Sequence, residues 1–215
     1  MSSFDQPIVM LDFETTGLSP AMGDRITEVA ALRIVKGRVT ERYVSLINCH
    51  ARIPSFISAL TGISQAMVDS APPVGRVLPE LLEFIGRDTL SAHNASFDEK
   101  FLIAESARLG MTPAHQALVC SLKLSRRLFP GMPSYKLGVL SSQLGIRFRS
   151  AAHRAESDAE VGAELLIHIA RHLGTCCGVQ QVEHQLLVSV NNLSAAKVPA
   201  YLEKYARAKR TASSS

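Results

Sequence analysis

The chain has 215 residues, 47% of them apolar and 20% charged, enough to bury one full-sized core and too apolar for a disordered polymer. A net charge of +4 is mild, and no apolar run approaches the ~20 residues that cross a bilayer, which excludes a helical membrane protein. Cys49, Cys120, Cys176 and Cys177 lack the spacing of a disulfide framework, and residues 1–7 lack the basic start and apolar stretch of a secretory signal, so the expected home is a reducing cytoplasm.

In chain order, Ile8 to Leu11 reads as a buried strand, and Gly17 and Pro20 punctuate the turn after it. Ile26 to Val35 and Val39 to Ile47, separated by Lys36-Gly37-Arg38, read as a hairpin, so the sheet starts with three neighbouring strands. Helical spacing follows Pro79 from Leu78 to Ile85, and Thr89 to Ala92 is a further strand. Phe97, Phe101, Leu102, Ala104 and Leu109 mark an amphipathic helix from Ala95 that stops at Gly110. Leu118 to Leu122 is the last expected strand, with helices near Ser125–Phe129 and Tyr135–Leu144. Glu156 to Leu173 is a long helix with Gly174 as its stop. Strands first and helices after predict a mixed α/β domain with helices against the sheet. Residues 1–174 form that domain. Residues 175–215 are expected as a helical, basic appendage with helices over Val179–Val190 and Pro199–Lys209 and a disordered last few residues.

Three short motifs carry the chemistry. Asp12 and Glu14 stand at i and i+2 at a strand end, so period-2 geometry points both carboxylates to one face and Phe13 to the other. Two acids that close repel each other unless a cation joins them, and carboxylate oxygens suit Mg²⁺ or Mn²⁺. Asp98 falls in the first turn of its helix, where an acid also stabilises the helix dipole, and His93 and Asn94 before it double as turn or cap residues. His153 precedes Asp158 by five residues, just ahead of the long helix, and an imidazole of ordinary pKa near ~6.5 can take a proton from water. Together these residues describe a site for two hard cations beside a general base, which suits phosphodiester hydrolysis.

The three motifs, Asp12-Phe13-Glu14-Thr15-Thr16-Gly17, His93-Asn94-Ala95-Ser96-Phe97-Asp98 and His153-Arg154-Ala155-Glu156-Ser157-Asp158-Ala159, resemble those of the DEDDh 3′–5′ exonucleases of the ribonuclease H-like superfamily. Leu60-Thr61-Gly62-Ile63 and Tyr135-Lys136-Leu137 resemble that family's intervening elements, and the likeness extends over residues 7–173. Within the family the chain is similar to the proofreading subunits of bacterial DNA polymerase III. The resemblance implies a ribonuclease H-like fold and two bound Mg²⁺ or Mn²⁺ ions held by Asp12, Glu14, Asp98 and Asp158, with His153 as general base. It implies contacts to the terminal nucleotide from Thr15, Thr16, Gly17, His93 and Asn94. The implied substrate is the 3′ end of single-stranded DNA, degraded to 5′-mononucleotides in proofreading or repair, with a DNA polymerase as candidate partner. The alternatives are RNA ends, as in ribonuclease T, or a non-catalytic nucleic-acid-binding accessory.

The charge pattern agrees with a polyanionic substrate. Lys123, Arg126 and Arg127 follow the second motif, Arg147, Arg149 and Arg154 lead into the third, and Lys204, Arg207, Lys209 and Arg210 crowd the C-terminus. A competing set, His168, His172, Cys176 and Cys177, has zinc-capable residue types, but adjacent cysteines are an uncommon pairing for a structural zinc site.

Overall fold

A computed structural model describes residues 3–146 and 153–212. Arg147, Arg149 and the last three residues lie outside that range, so the expectations placed on them are not addressed by it. The elements are β1 (Ser3–Phe4), β2 (Ile8–Thr15), β3 (Ile26–Val35), β4 (Arg38–Leu46), α1 (Ser55–Thr61), α2 (Gln65–Asp69), α3 (Val74–Ile85), β5 (Thr89–Ala92), α4 (Ala95–Arg108), β6 (Leu118–Cys120), α5 (Ser121–Leu128), α6 (Leu137–Gln143), α7 (Ala155–Cys177), β7 (Gln181–Val182), α8 (His184–Asn192) and α9 (Val198–Ala212). The main sheet has the order β4-β3-β2-β5-β6. Strands β2, β3 and β4 pair antiparallel, as the hairpin signal requires, and β5 and β6 join parallel to β2. This is the mixed sheet with flanking helices of the ribonuclease H-like fold.

Strand β2 lies at the middle of this sheet and is buried on both sides, and its alternation decides where the chemistry sits. Val9, Leu11 and Phe13 enter the core with Leu78, Leu81, Phe101 and Leu102 from α3 and α4. Ile8 and Met10 enter the opposite core, with Leu165, Leu166 and Ile169 of α7. Period 2 then carries Asp12 and Glu14 onto the α7 face, where two apolar positions give way to carboxylates at the strand end. Gly162 brings α7 close to this face: a Cβ there would sit 3.0 Å from Met10 Sδ. Asp158 is one turn earlier on the same side of the helix, so the close approach at Gly162 sets it over the end of β2.

Several boundaries depart from the sequence reading. Ser121 and Leu122, expected to end a strand, open α5, and Gln181–Val182, expected inside a helix, form β7 ahead of α8. Helix α3 starts at Val74, with Pro79 in its interior, because Val77, Leu78, Leu81 and Ile85 bury enough surface to offset the one backbone bond Pro79 cannot make. Helix α7 runs through Gly174, which is buried inside it, and ends at Gly178 in the left-handed conformation, φ 67°. Helices α1 and α2 carried no clear periodic signal, being only 7 and 5 residues long.

Residues 175–212 pack into the α7-side core. Val182, Leu186, Leu187, Val190, Val198 and Ala206 join the same cluster as Ile8 and Met10. Each large apolar side chain there contributes on the order of 1.5–3 kcal/mol. Strand β7 pairs parallel with β1, and the buried Asn191 side chain accepts a hydrogen bond of 3.0 Å from the backbone N–H of Cys120 at the end of β6. None of the described helices is long and apolar enough to cross a membrane.

Candidate active site

At the end of β2, ligand oxygens of Asp12, Glu14 and Asp158 all lie within 4.8 Å of one another. Among the described residues this is the one such group of three metal-ligating side chains. Phe13 is 5% exposed on the other face, as the alternation demands. Asp98, in the first turn of α4 and 3% exposed, accepts a 3.3 Å hydrogen bond from the Phe13 N–H, which ties the second motif to the middle of the first. The structure therefore brings together all four acids named from the sequence, three as one cluster and Asp98 against its backbone.

The electrostatics are those of crowded anions. Burial, then Asp98, Asp158, Glu14 and Glu28, hold the Asp12 carboxyl well above its ordinary range. Burial together with Asp158 and Glu28 pushes Glu14 up to about 7, against a downward pull from Arg154. Asp98 is raised by burial despite hydrogen bonds that favour its ionised form, and Asp158 is raised by burial against the opposing pull of His153. A hard divalent cation fits such a donor set, since it supplies the charge that the carboxylates lack.

This crowding has a pH signature. Carboxyls raised in the fold bind protons that the unfolded chain has released, so the metal-free protein loses stability as pH rises from about 4 through about 7. In EDTA, Tm is expected to fall between about pH 5.5 and pH 8, and Mn²⁺ to raise Tm more at the higher pH. A Tm that ignores pH and Mn²⁺ alike in thermal melts would contradict the shared-cation reading.

The loop after β2 is built by Asp24. Its carboxylate accepts from the Ser19 N–H at 2.9 Å, and a Cβ on Gly17 would lie 2.4–2.5 Å from it, so a larger residue there would displace Asp24 from this bond. The hydroxyls of Thr15 and Thr16 are engaged inside the loop, Thr15 Oγ1 donating to Gly17 O and Thr16 Oγ1 accepting from the Arg25 N–H. Arg25 in turn makes a bidentate pair with Glu105 on α4, at 2.6 and 2.9 Å. Lys100, two residues after Asp98, donates to Leu18 O at 2.6 Å and lies over the Phe97 ring. The first and second motifs are thus clamped to each other from both ends of the loop.

In the second motif, Asn94 takes the left-handed conformation, φ 74°, which Asn tolerates better than most residues, and makes no side-chain cap. Both ring nitrogens of His93 are engaged, Nδ1 with Ser121 Oγ at 3.0 Å and Nε2 with Tyr135 O at 2.9 Å. A carbonyl only accepts, so Nε2 carries the proton. Burial, then Arg126, lowers its pKa, which keeps the ring neutral.

The third motif depends on Glu28, which the sequence reading missed. Its register partner is Glu14, and its 2% exposed carboxylate accepts from Arg154 Nε at 3.1 Å, Arg154 Nη2 at 2.6 Å and the Ala155 N–H at 3.0 Å. One acid therefore pins Arg154 and caps α7. The available signal was an acid in an apolar strand, in phase with the face that bears Asp12 and Glu14. His153, exposed and left-handed at φ 63°, donates its N–H to Asp158 Oδ2 at 3.0 Å. Glu28→Ala is expected to cost about 3 kcal/mol in urea unfolding, the low end for stripping a buried pair because Arg154 is 42% exposed. A loss below ~0.5 kcal/mol would remove Glu28 from this role.

The histidines of the competing set serve packing. The rings of His168 and His172 meet Phe129 edge-on, at 5.7 and 4.9 Å, and Cys176 Sγ lies 3.5 Å from His172 Nε2.

Comparison with known proteins agrees with the geometry. The RNase T family model, described as an exonuclease, matches residues 9–166. The 3′–5′ exonuclease DinG of Bacillus subtilis (strain 168) is 39% identical over 168 residues, which is 78% of this chain and 18% of that protein. DNA polymerase III subunit epsilon of Aquifex aeolicus (strain VF5) is 33% identical over 169 residues, 79% of this chain and 83% of the subunit. Exonuclease X, solved in complex with 5′ overhanging duplex DNA, aligns with a TM-score of 0.68 and 26% identity, covering 86% of this chain and 99% of the other. The chain thus spans less than a fifth of DinG but nearly all of exonuclease X. With most of its length on the family model and a relative of similar size above 30% identity, the chain belongs to the RNase T exonuclease family.

Proposed function

We propose that this protein is a metal-dependent 3′–5′ exonuclease that removes 5′-mononucleotides from the 3′ end of single-stranded DNA, in proofreading or repair. The cluster of Asp12, Glu14 and Asp158 is the observation that carries this reading. These three, with Asp98, would hold two Mg²⁺ or Mn²⁺ ions, which when bound stabilise negative charge on the attacking and leaving oxygens. His153 takes the proton of the attacking water, and its exposed place beside Asp158 leaves the imidazole free to exchange that proton with solvent. Glu28 and Arg154 fix the start of α7, and the His153 N–H bond to Asp158 ties the base to that helix end. The Thr15-Thr16-Gly17 loop is proposed to receive the terminal nucleotide through its backbone, since the threonine hydroxyls are already engaged. His93 and Asn94 would shape that pocket from the other side.

DNA is preferred to RNA because exonuclease X was solved with DNA. A DNA polymerase is the proposed partner, because the Aquifex aeolicus relative is a subunit of one. Residues 1–174 are proposed as the exonuclease unit, with 175–215 as a buttress on it. The four free cysteines suit a reducing cytoplasm.

The test is a time course on 5′-labelled single-stranded DNA and matched RNA with Mg²⁺, Mn²⁺ or EDTA. A ladder shortening from the 3′ end, faster on DNA and absent in EDTA, is the expected result. Intact substrate in all lanes would overturn the reading, and a faster RNA ladder would overturn the substrate choice.

A further inference from the structure

Charge is segregated along this chain. Between Glu105 and Glu156 there is no Asp or Glu, while that stretch holds eight of the 23 Lys and Arg residues. The remaining chain has 15 basic and 19 acidic residues and is net negative. In the fold, Arg126 and Lys136 are placed beside the second motif through Tyr135, which contacts both Arg126 and His93. Lys123, Arg126 and Arg127 stand at i, i+3 and i+4 on α5. Arg127 is held by Leu193 O at 2.7 Å and Lys123 O at 2.9 Å, and the Arg126 guanidinium lies 5.8 Å from the centre of the Tyr135 ring. Lys136 follows directly.

Lys123, Arg126 and Lys136 are exposed, and none makes an ion pair among the described residues. By contrast, Arg25, Arg33, Arg42, Arg108 and Arg154 each meet a carboxylate. The strip also adjoins the site. His93 of the second motif donates to Tyr135 O, and the charge of Arg126 is felt at His93. Cations held by the carboxylates would serve only the terminal phosphate, so attraction for the rest of a strand has to come from basic side chains on the flank.

We propose that Lys123, Arg126 and Lys136 form a second nucleic-acid contact that takes the phosphates of the degraded strand on the 5′ side of its terminal nucleotide. This rests on the exonuclease reading above and adds to it a binding track outside the metal site. The strip is continuous from the second motif outward, as one strand leaving the pocket requires. It makes the enzyme's grip grow with strand length and fall with salt.

The experiment compares the wild type with the Lys123→Gln/Arg126→Gln/Lys136→Gln variant, checked for unchanged Tm. Substrates are a p-nitrophenyl ester of thymidine 5′-monophosphate, single-stranded oligonucleotides from two to about sixteen nucleotides, and a duplex with a 5′ overhang. The ester reports the metal site alone. It should be hydrolysed equally by both proteins, whereas KM for the longest oligonucleotide should rise about tenfold in the variant with kcat little changed. Fluorescence anisotropy of that oligonucleotide in EDTA reads binding without turnover. There the slope of log affinity against log salt should shrink by about 2, three contacts at ~0.7 each for a single strand. A wild type that binds with this slope but spares the ester and every oligonucleotide would sink the exonuclease reading and keep the strip. Equal KM and equal salt slope in both proteins would overturn the strip. So would a loss confined to the overhanging duplex, which would assign the cations to the complementary strand.

Discussion

Asp12→Asn is expected to abolish cleavage while making the metal-free protein more stable. The substitution keeps the shape of the side chain and removes one charge from a place where four other carboxylates raise its pKa. Losing an outer contact to a metal site costs about 10–100-fold, and Asp12 lies inside the ligand cluster, so the loss in kcat/KM should exceed ~10²-fold. In EDTA the same change relieves repulsion, so Tm should rise, and the gain should grow with pH as the neighbouring carboxyls ionise. Mn²⁺ should then add little further stability. Opposite signs for activity and stability set a ligand apart from an ordinary buried polar residue, whose removal lowers both. A variant that cleaves normally, or that loses stability in EDTA, would show that Asp12 serves the fold and not the cations.

His153→Asn should lower kcat by about 10²–10⁴-fold, the range for a positioned general base, with little change in DNA affinity. Asn suits this position because it also tolerates the left-handed backbone, so the His153 N–H to Asp158 bond is retained. The variant therefore isolates the imidazole from the loop that presents it. Free imidazole added to the buffer should restore part of the lost rate, which no purely structural role predicts. Equal losses in kcat and in affinity, with no rescue, would make His153 a binding residue.

Much of this site was legible in the sequence because its chemistry follows the period of its elements. Asp12 and Glu14 share a face through strand alternation, and Phe13 is turned away by the same rule. Asp98 and Asp158 each occupy a first helical turn. Contacts between distant elements left no local trace. Glu28 caps α7 across 127 residues, and Glu105 holds Arg25 across 80. Asp24 shapes the loop through the one glycine that leaves it room. Gly174 misled as a stop because a buried glycine in a long helix and a terminal one look alike until packing is known. Helices over Val179–Val190 and Pro199–Lys209 were expected. The first starts only at His184, because Gln181–Val182 pairs as β7, and the burial of both against α7 depends on which face meets which, which their own sequence does not state.

The pairing of Ser3–Phe4 with Gln181–Val182 also has a meaning for synthesis. During translation Phe4, 2% exposed once folded, has no strand partner until residue 182 has been made. At about 5–20 residues per second that wait lasts roughly ten to forty seconds. Contacts this distant along the chain slow folding. The nascent protein therefore passes through a stage in which the five-stranded sheet can form while β1, which belongs to a separate pair with β7, waits, and a chaperone that shields short apolar segments would be most useful to it then.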